Sequence, residues 1–197
     1  MSVAVLYARR DSVYKTLGCD VWDEDRDARK WQGGSQIVAH PPCRAWGRLR
    51  HFAKPAVHEK DLGRHAVAMV RKWGGVLEHP ESSTLWADQG LPKPGAFDSF
   101  GGWTLPVFQW WWGHRAQKKT WLYIVGCNPT DVPPMPLRLG KADCRIRFDM
   151  RRADGTHIRK GDPDYQPRLG DEEREATPPE MAQWLVELAK RCKGAKP

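Results

Sequence analysis

The stretch Ile37-Val38-Ala39-His40-Pro41-Pro42-Cys43 decides the fold. Three apolar residues in a row suit a short strand covered on both faces, as in a parallel sheet. Pro41 and Pro42 have a fixed φ and no N–H to give to a ladder, so the strand ends at His40. Each proline also holds the residue before it extended, which stiffens the turn and places Cys43 at the carboxyl end of a strand, where open α/β sheets do their chemistry. Arg44, Arg48, Arg50 and Lys54 follow with no acid among them, and nearby cations favour a thiolate. The same pattern also fits an inert cysteine packed beside a turn.

Working outward, Val3-Ala4-Val5-Leu6-Tyr7 predicts a first buried strand. Asp11 or Ser12 is placed to cap a short helix reaching Leu17. Residues 19–27 predict a short strand running into Asp20, Asp23, Glu24, Asp25 and Asp27. Those acids suit a ribose or a metal, and equally a solvated turn. Beyond Cys43, Leu62, Ala66, Met69, Val70 and Trp73 recur at helical spacing, which predicts a helix over 58–73 stopped by Gly74-Gly75. Val76-Leu77-Glu78-His79-Pro80 then repeats the strand-to-proline design and delivers Glu78 to the edge that holds Cys43.

Residues 81–102 read as loop, 108–112 as strongly aromatic, and 121–125 as a strand entered through the cationic turn Gly113-His114-Arg115-Ala116-Gln117-Lys118-Lys119-Thr120. The Trp110-Trp111-Trp112 run cannot face one core throughout, so at least one ring is exposed or under a loop and can stack on a base. Residues 126–175 show little periodicity. Within them, 141–160 hold seven Lys and Arg against three Asp, which suits a phosphate-contacting lobe or a surface insertion. A last helix is predicted over 177–193, with Thr177 as N-cap, Pro178 at the first helical position and Glu180 completing a capping box. Met181, Trp184, Leu185, Leu188 and Ala189 form its apolar stripe.

A chain of 197 residues predicts one domain, and a net charge of +8 with a pI near 9.4 points to a polyanionic partner, DNA first. Five cysteines at 19, 43, 127, 144 and 192, with no CxxC, give neither a disulfide framework nor a zinc finger. Residues 1–8 are too short and too soon followed by Arg9 and Arg10 for a signal peptide, and no apolar run reaches membrane length. The expectation is a cytoplasmic setting with no membrane partner. His40, His79 and His114 follow strand ends but lack HxxxH or HxH spacing, so a metal-dependent hydrolase has no supporting motif.

Cys43, Glu78 and the Gln117-Lys118-Lys119 turn place a thiol, a carboxyl and a cation within one constellation. Attack at carbon 6 of a pyrimidine uses that set: the thiolate adds, the carboxyl contacts ring nitrogen 3, and the cation holds the carbonyl at carbon 2. In this order the chain resembles the DNA cytosine-5 methyltransferases, particularly their small, divergent phage and prophage forms. His40-Pro41-Pro42-Cys43 is similar to the Pro-Pro-Cys nucleophile loop and Leu77-Glu78-His79-Pro80 to the Glu-Asn-Val segment. Gln117-Lys118-Lys119 with strand 121–125 resembles the Gln-x-Arg-x-Arg segment, and 176–182 the closing motif before the last helix.

The resemblance implies a three-layer α/β sandwich with a short, Rossmann-like, mostly parallel sheet, truncated, and carrying an irregular basic lobe. It implies transfer of a methyl group from S-adenosylmethionine to carbon 5 of cytosine in DNA, in the cytoplasm of a bacterial host. Catalysis would fall to Cys43, Glu78, Lys118 and Lys119; cofactor contacts to Tyr7, Asp23, Asp25, Pro41 and Thr177; DNA contacts to Arg44, Arg48, Arg50, His79, His114, Arg115 and Gln117. The turn after the first strand, Ala8-Arg9-Arg10-Asp11-Ser12, has no glycine. That leaves a relative with a different donor, or one that only binds DNA or a host protein, as the alternatives.

Overall fold

A computed structural model describes residues 2–48, 50–146 and 151–194. Six strands form one mixed sheet: β1 (Ala4–Leu6), β2 (Asp20–Trp22), β3 (Ile37–Ala39), β4 (Gly75–Pro80), β5 (Trp103–Phe108) and β6 (Lys119–Val125). Their order is β2-β1-β3-β4-β6-β5. The first four run parallel, and β6 lies antiparallel between β4 and β5. Connections from β1 lead first to one side and then, through β3, to the other. That reversal puts a topological switch point between β1 and β3, the place where doubly wound sheets open a crevice for ligands.

Alternation along the strands sends side chains to two cores. Val3, Val5, Val38, Val76, Leu122 and Ile124 face α4 (Pro179–Arg191), whose Met181, Trp184, Leu185, Leu188 and Ala189 are all buried. Ala4, Leu6, Ile37, Ala39, Leu77 and Tyr123 face α1 (Glu59–Trp73), which buries Gly63, Ala66, Val67 and Val70. Each large apolar side chain buried this way contributes about 2 kcal/mol. The sheet thus carries a helix on either face. Gly74 ends α1 at φ 75°, and Gly75, at φ 133°, lets β4 approach β3 so closely that a Cβ would lie 2.1 Å from the Ile37 carbonyl oxygen.

Several expectations are corrected locally. The segment after β1 forms only a 3-10 turn, Val13–Lys15, with the Ser12 hydroxyl accepting from the Tyr14 N–H at 3.4 Å. Residues 81–102 hold a short helix, α2 (Leu85–Asp88), and the next strand, β5, carries Pro106 because it is an edge strand with a side free of ladder partners. The last helix begins at Pro179, with Pro178 as its N-cap and no side-chain cap bond, so Thr177 and Glu180 form no capping box. The Trp110-Trp111-Trp112 run lies in a 3-10 turn, Gln109–Trp112, with Trp112 buried and the other two rings half-buried.

Between β6 and α4 the chain has little regular structure beyond a 3-10 turn at Pro129–Asp131 and α3 (Asp171–Glu175). A small core of Ala116, Cys144 and Leu169 ties it to the turn before β6, and bridges Ala116–Cys144 and Arg145–Arg168 pin it. The basic run at 141–160 lies partly outside the described residues. Among those described, no helix is long and apolar enough to cross a membrane.

Candidate active site

The carboxyl ends of β1, β3 and β4 and the start of the antiparallel β6 share one edge of the sheet. Glu78 leaves β4 on the α4 side, because Val76 two residues earlier faces α4. His40, one residue past β3, comes to the same side. There the Glu78 carboxylate meets His40 Nδ1 at 3.1 Å and accepts from Gln109 Nε2 at 3.0 Å. Gln109 Nε2 also donates to Thr120 Oγ1 at 3.1 Å, and His40 Nε2 meets the Tyr14 hydroxyl at 2.8 Å. A chain of five side chains, Tyr14-His40-Glu78-Gln109-Thr120, therefore crosses three strand ends and two turns.

Burial raises the affinity of Glu78 for a proton, but the His40 hydrogen bond, the Lys118 ammonium and His40 more than offset it. The carboxyl titrates at about 2 and is ionised at neutral pH. An ionised carboxylate only accepts, so His40 Nδ1 carries the proton in that contact. Both imidazole nitrogens of His40 are thereby engaged.

Cys43 is the exposed cysteine; Cys19 is half-buried and Cys127, Cys144 and Cys192 are buried. Its carbonyl accepts from the N–H groups of Trp46 and Gly47 at 3.0 and 2.8 Å, closing the turn. Trp46 anchors that turn. It is fully buried, its carbonyl accepts from the Thr84 N–H at 3.0 Å, and its indole fits against α1 because Gly63 has no side chain there. The Cys43 loop is thus bolted to the helix that follows it.

The arginines after Cys43 do not activate the thiol as their sequence position suggests. Arg44 turns away to the buried Glu59 carboxylate, Arg50 reaches only the Gly47 carbonyl at 3.5 Å, and Arg48 is exposed. Although the residue as a whole is exposed, the atoms packed around its sulfur desolvate it and push its pKa up, the Glu78 carboxylate adds to that, and Lys118 opposes both. At neutral pH the group rests as a thiol. Lys118 itself sits at φ 28° and is desolvated, which lowers its pKa, while Glu78 and Cys43 pull it back up. Replacing Lys118 with methionine is expected to move the alkylation profile of Cys43 to higher pH; peptide mapping after iodoacetamide treatment checks it, and an unchanged profile would remove Lys118 from the site.

The other expected residues scatter. Lys119 points to the far side of β6, its ammonium 5.8 Å from the centre of the Phe108 ring. His79 is fully buried on the α1 side, packed edge-on to Trp86, so it touches no DNA in this conformation. His114 is buried, with Nδ1 bonded within its own turn to Ala116. Arg115 pairs with Glu173 at 3.2 Å, and Gln117 is exposed. His40, His79 and His114 do not converge.

Around the switch point, Tyr7 takes φ 62°, a left-handed turn made without glycine, and its hydroxyl bonds His65 at 2.7 Å. Asp23 is buried and bonded to Lys15 at 2.8 Å and to the Arg26 N–H; Asp25 pairs with Arg10 at 2.9 Å. Pro41 is buried and Thr177 half-buried. Both acids are thus engaged by basic side chains, Asp23 by the Lys15 ammonium and Asp25 by the Arg10 guanidinium.

Tyr14, Gln109, Thr120 and Glu175 complete the site without having been expected there. Glu175, at the end of α3, acts electrostatically on both Cys43 and Lys118 and pairs with Arg9 at 3.7 Å. Only Tyr14 had a local signal, the Ser12 cap ahead of it. No protein-family model matches the chain, and neither the curated proteins nor the solved structures compared with it contain a match.

Proposed function

We propose that the protein modifies DNA at carbon 5 of cytosine through covalent addition of Cys43 to carbon 6. The supporting observation is that Cys43, an ionised Glu78 and Lys118 act on one another electrostatically at the edge where β3 and β4 end and β6 begins. After the Cys43 thiol gives its proton to solvent, the thiolate donates its electron pair to carbon 6, and the ring pair moves to carbon 5, leaving that carbon nucleophilic. Carbon 5 takes up an electrophile, loses its own proton, and expulsion of the thiolate restores the ring. Negative charge develops on the carbonyl side of the ring, and Lys118 is the cation at this edge suited to hold it. Solvent supplies the proton that the ring nitrogen takes up as the ring charge builds, and the ionised Glu78 accepts the hydrogen bond from the N–H so formed. To reach this site the base is rotated out of a helix or comes from an unpaired strand.

The electrophile is a separate matter. A methyl group from S-adenosylmethionine is what the sequence resemblance implies, and the engaged Asp23 and Asp25 favour the reading with another donor. Calorimetric titration of S-adenosylmethionine into the protein, with and without DNA, decides between them. Saturable binding followed by Cys43-dependent transfer supports methylation; no heat under either condition removes it and leaves the covalent chemistry to be judged by itself.

A further inference from the structure

Beside the Gln109–Trp112 turn lies an open groove of about 370 Å³ lined by Trp110, Arg138, Leu139, Lys141 and Asp143. Trp110 is half-buried and supplies an aromatic face, and the Arg138 guanidinium stands 5.8 Å from the ring centre. Gly140, at φ 117°, lets the loop curl along the ring; a Cβ there would come 3.7 Å from Trp110 Cη2 and narrow the opening. Arg138, Leu139, Lys141 and Asp143 are exposed, and neither cation has a carboxylate partner among the described residues. None of these residues belongs to the Cys43 site, yet Trp110 directly follows Gln109, which holds Glu78.

An aromatic plane with one cation over it and a second beside it, neither paired with a carboxylate among the described residues, is a combination that holds a nucleotide: the base stacks as the loosely held Arg138 swings to the phosphate. A purely anionic ligand would be repelled by Asp143, whereas a base can donate an N–H to it, as thymine can from ring nitrogen 3. A duplex keeps its base faces inside the stack, so only an unpaired base offers a face to Trp110. We propose that this groove binds an unpaired nucleotide of a single strand, with the base on Trp110 and the backbone phosphates on Arg138 and Lys141. The proposal rests on the reading of DNA as substrate and narrows it to strands with unpaired bases.

The test is anisotropy titration of a short labelled oligothymidylate and of a duplex of equal length, without any group donor. Trp110→Ala should weaken single-strand binding about tenfold, with Trp110→Phe keeping most of it. Duplex binding should stay within about twofold. Arg138→Ala with Lys141→Ala, both at exposed positions, should lower the slope of log affinity against log salt on the single strand by about 1.4, at about 0.7 per phosphate. If thermal melting shows Trp110→Ala misfolded, the double variant decides alone. Equal losses on both substrates, no loss, or an unchanged salt slope would overturn the proposal. So would thymidine monophosphate binding as tightly as the oligonucleotide, which would assign the groove to free nucleotides. Because no chemistry is read, Trp110-dependent binding without carbon-5 reactivity would defeat the enzymatic reading alone, and the reverse pattern would defeat this one.

Discussion

Solvent deuterium is expected to replace the hydrogen at carbon 5 of cytosine when the protein is incubated with single-stranded DNA in heavy water, and Cys43→Ala is expected to abolish it. Exchange needs no group donor, because addition of the thiolate at carbon 6 is enough to make carbon 5 take up a deuteron and then release its proton. The loss should reach about 10⁴-fold or more, the scale on which removal of a nucleophile acts. Folding should be untouched, since the Cys43 side chain is exposed and the turn is held by its backbone carbonyl and by Trp46. The rate should rise with pH, because desolvation and Glu78 hold the resting group as a thiol. Mass spectrometry of nucleosides released from the strand measures the exchange. Exchange that survives Cys43→Ala, or none in the wild type on any substrate, would sink the covalent reading.

The strands that place Cys43 and Glu78 were legible because proline leaves so few choices. A buried strand that runs into Pro41 or Pro80 must stop there, and α1, with its regular apolar spacing and paired-glycine stop, fixes the step between them. The antiparallel β6 was legible as a strand but not as the neighbour of β4, since strand order is a long-range property. What the sequence hid is the carboxylate's surroundings. Tyr14 and Gln109 lie in short 3-10 turns with no periodicity, and they come to Glu78, Gln109 directly and Tyr14 through His40, only because β3, β4 and β5 end at one edge. Charges near Cys43 misled for a related reason: Arg44 is adjacent in sequence but is claimed by Glu59, which α1 brings to it. Lys118, distant in sequence, is the cation that acts on the thiol. His79 was read with Glu78 because they adjoin, yet neighbours on a strand face opposite ways.

That opposition sets up an acid response in two stages. His79 is fully buried with neither ring nitrogen hydrogen-bonded, and burial lowers its pKa to about 4. In the unfolded chain it takes a proton near its ordinary 6.5, so stability is complete above that value and is lost as pH falls toward 4. Glu78 follows: ionised in the fold down to about 2 against an ordinary 4.5, it gives stability above 4.5 that is lost as pH falls toward 2. Each shift corresponds to about 3 kcal/mol in full. Urea denaturation should therefore show the wild type losing about 2 kcal/mol between pH 7.5 and pH 5 that His79→Leu does not lose. Leucine also removes two unpaired polar atoms from an apolar wall beside Trp86, so the variant should equal or exceed the wild type at pH 5. Glu78→Gln should act in the other window. At neutral pH it costs about 3 kcal/mol, because an amide N–H₂ turned toward Gln109 or His40 faces a donor unless that partner reorients. Toward pH 3 its curve should converge on that of the wild type, whose Glu78 stabilisation is by then draining away. Parallel curves for His79→Leu and wild type from pH 7.5 to 5 would show that His79 is protonated in the folded protein, and the burial argument for that side of the sheet would fail.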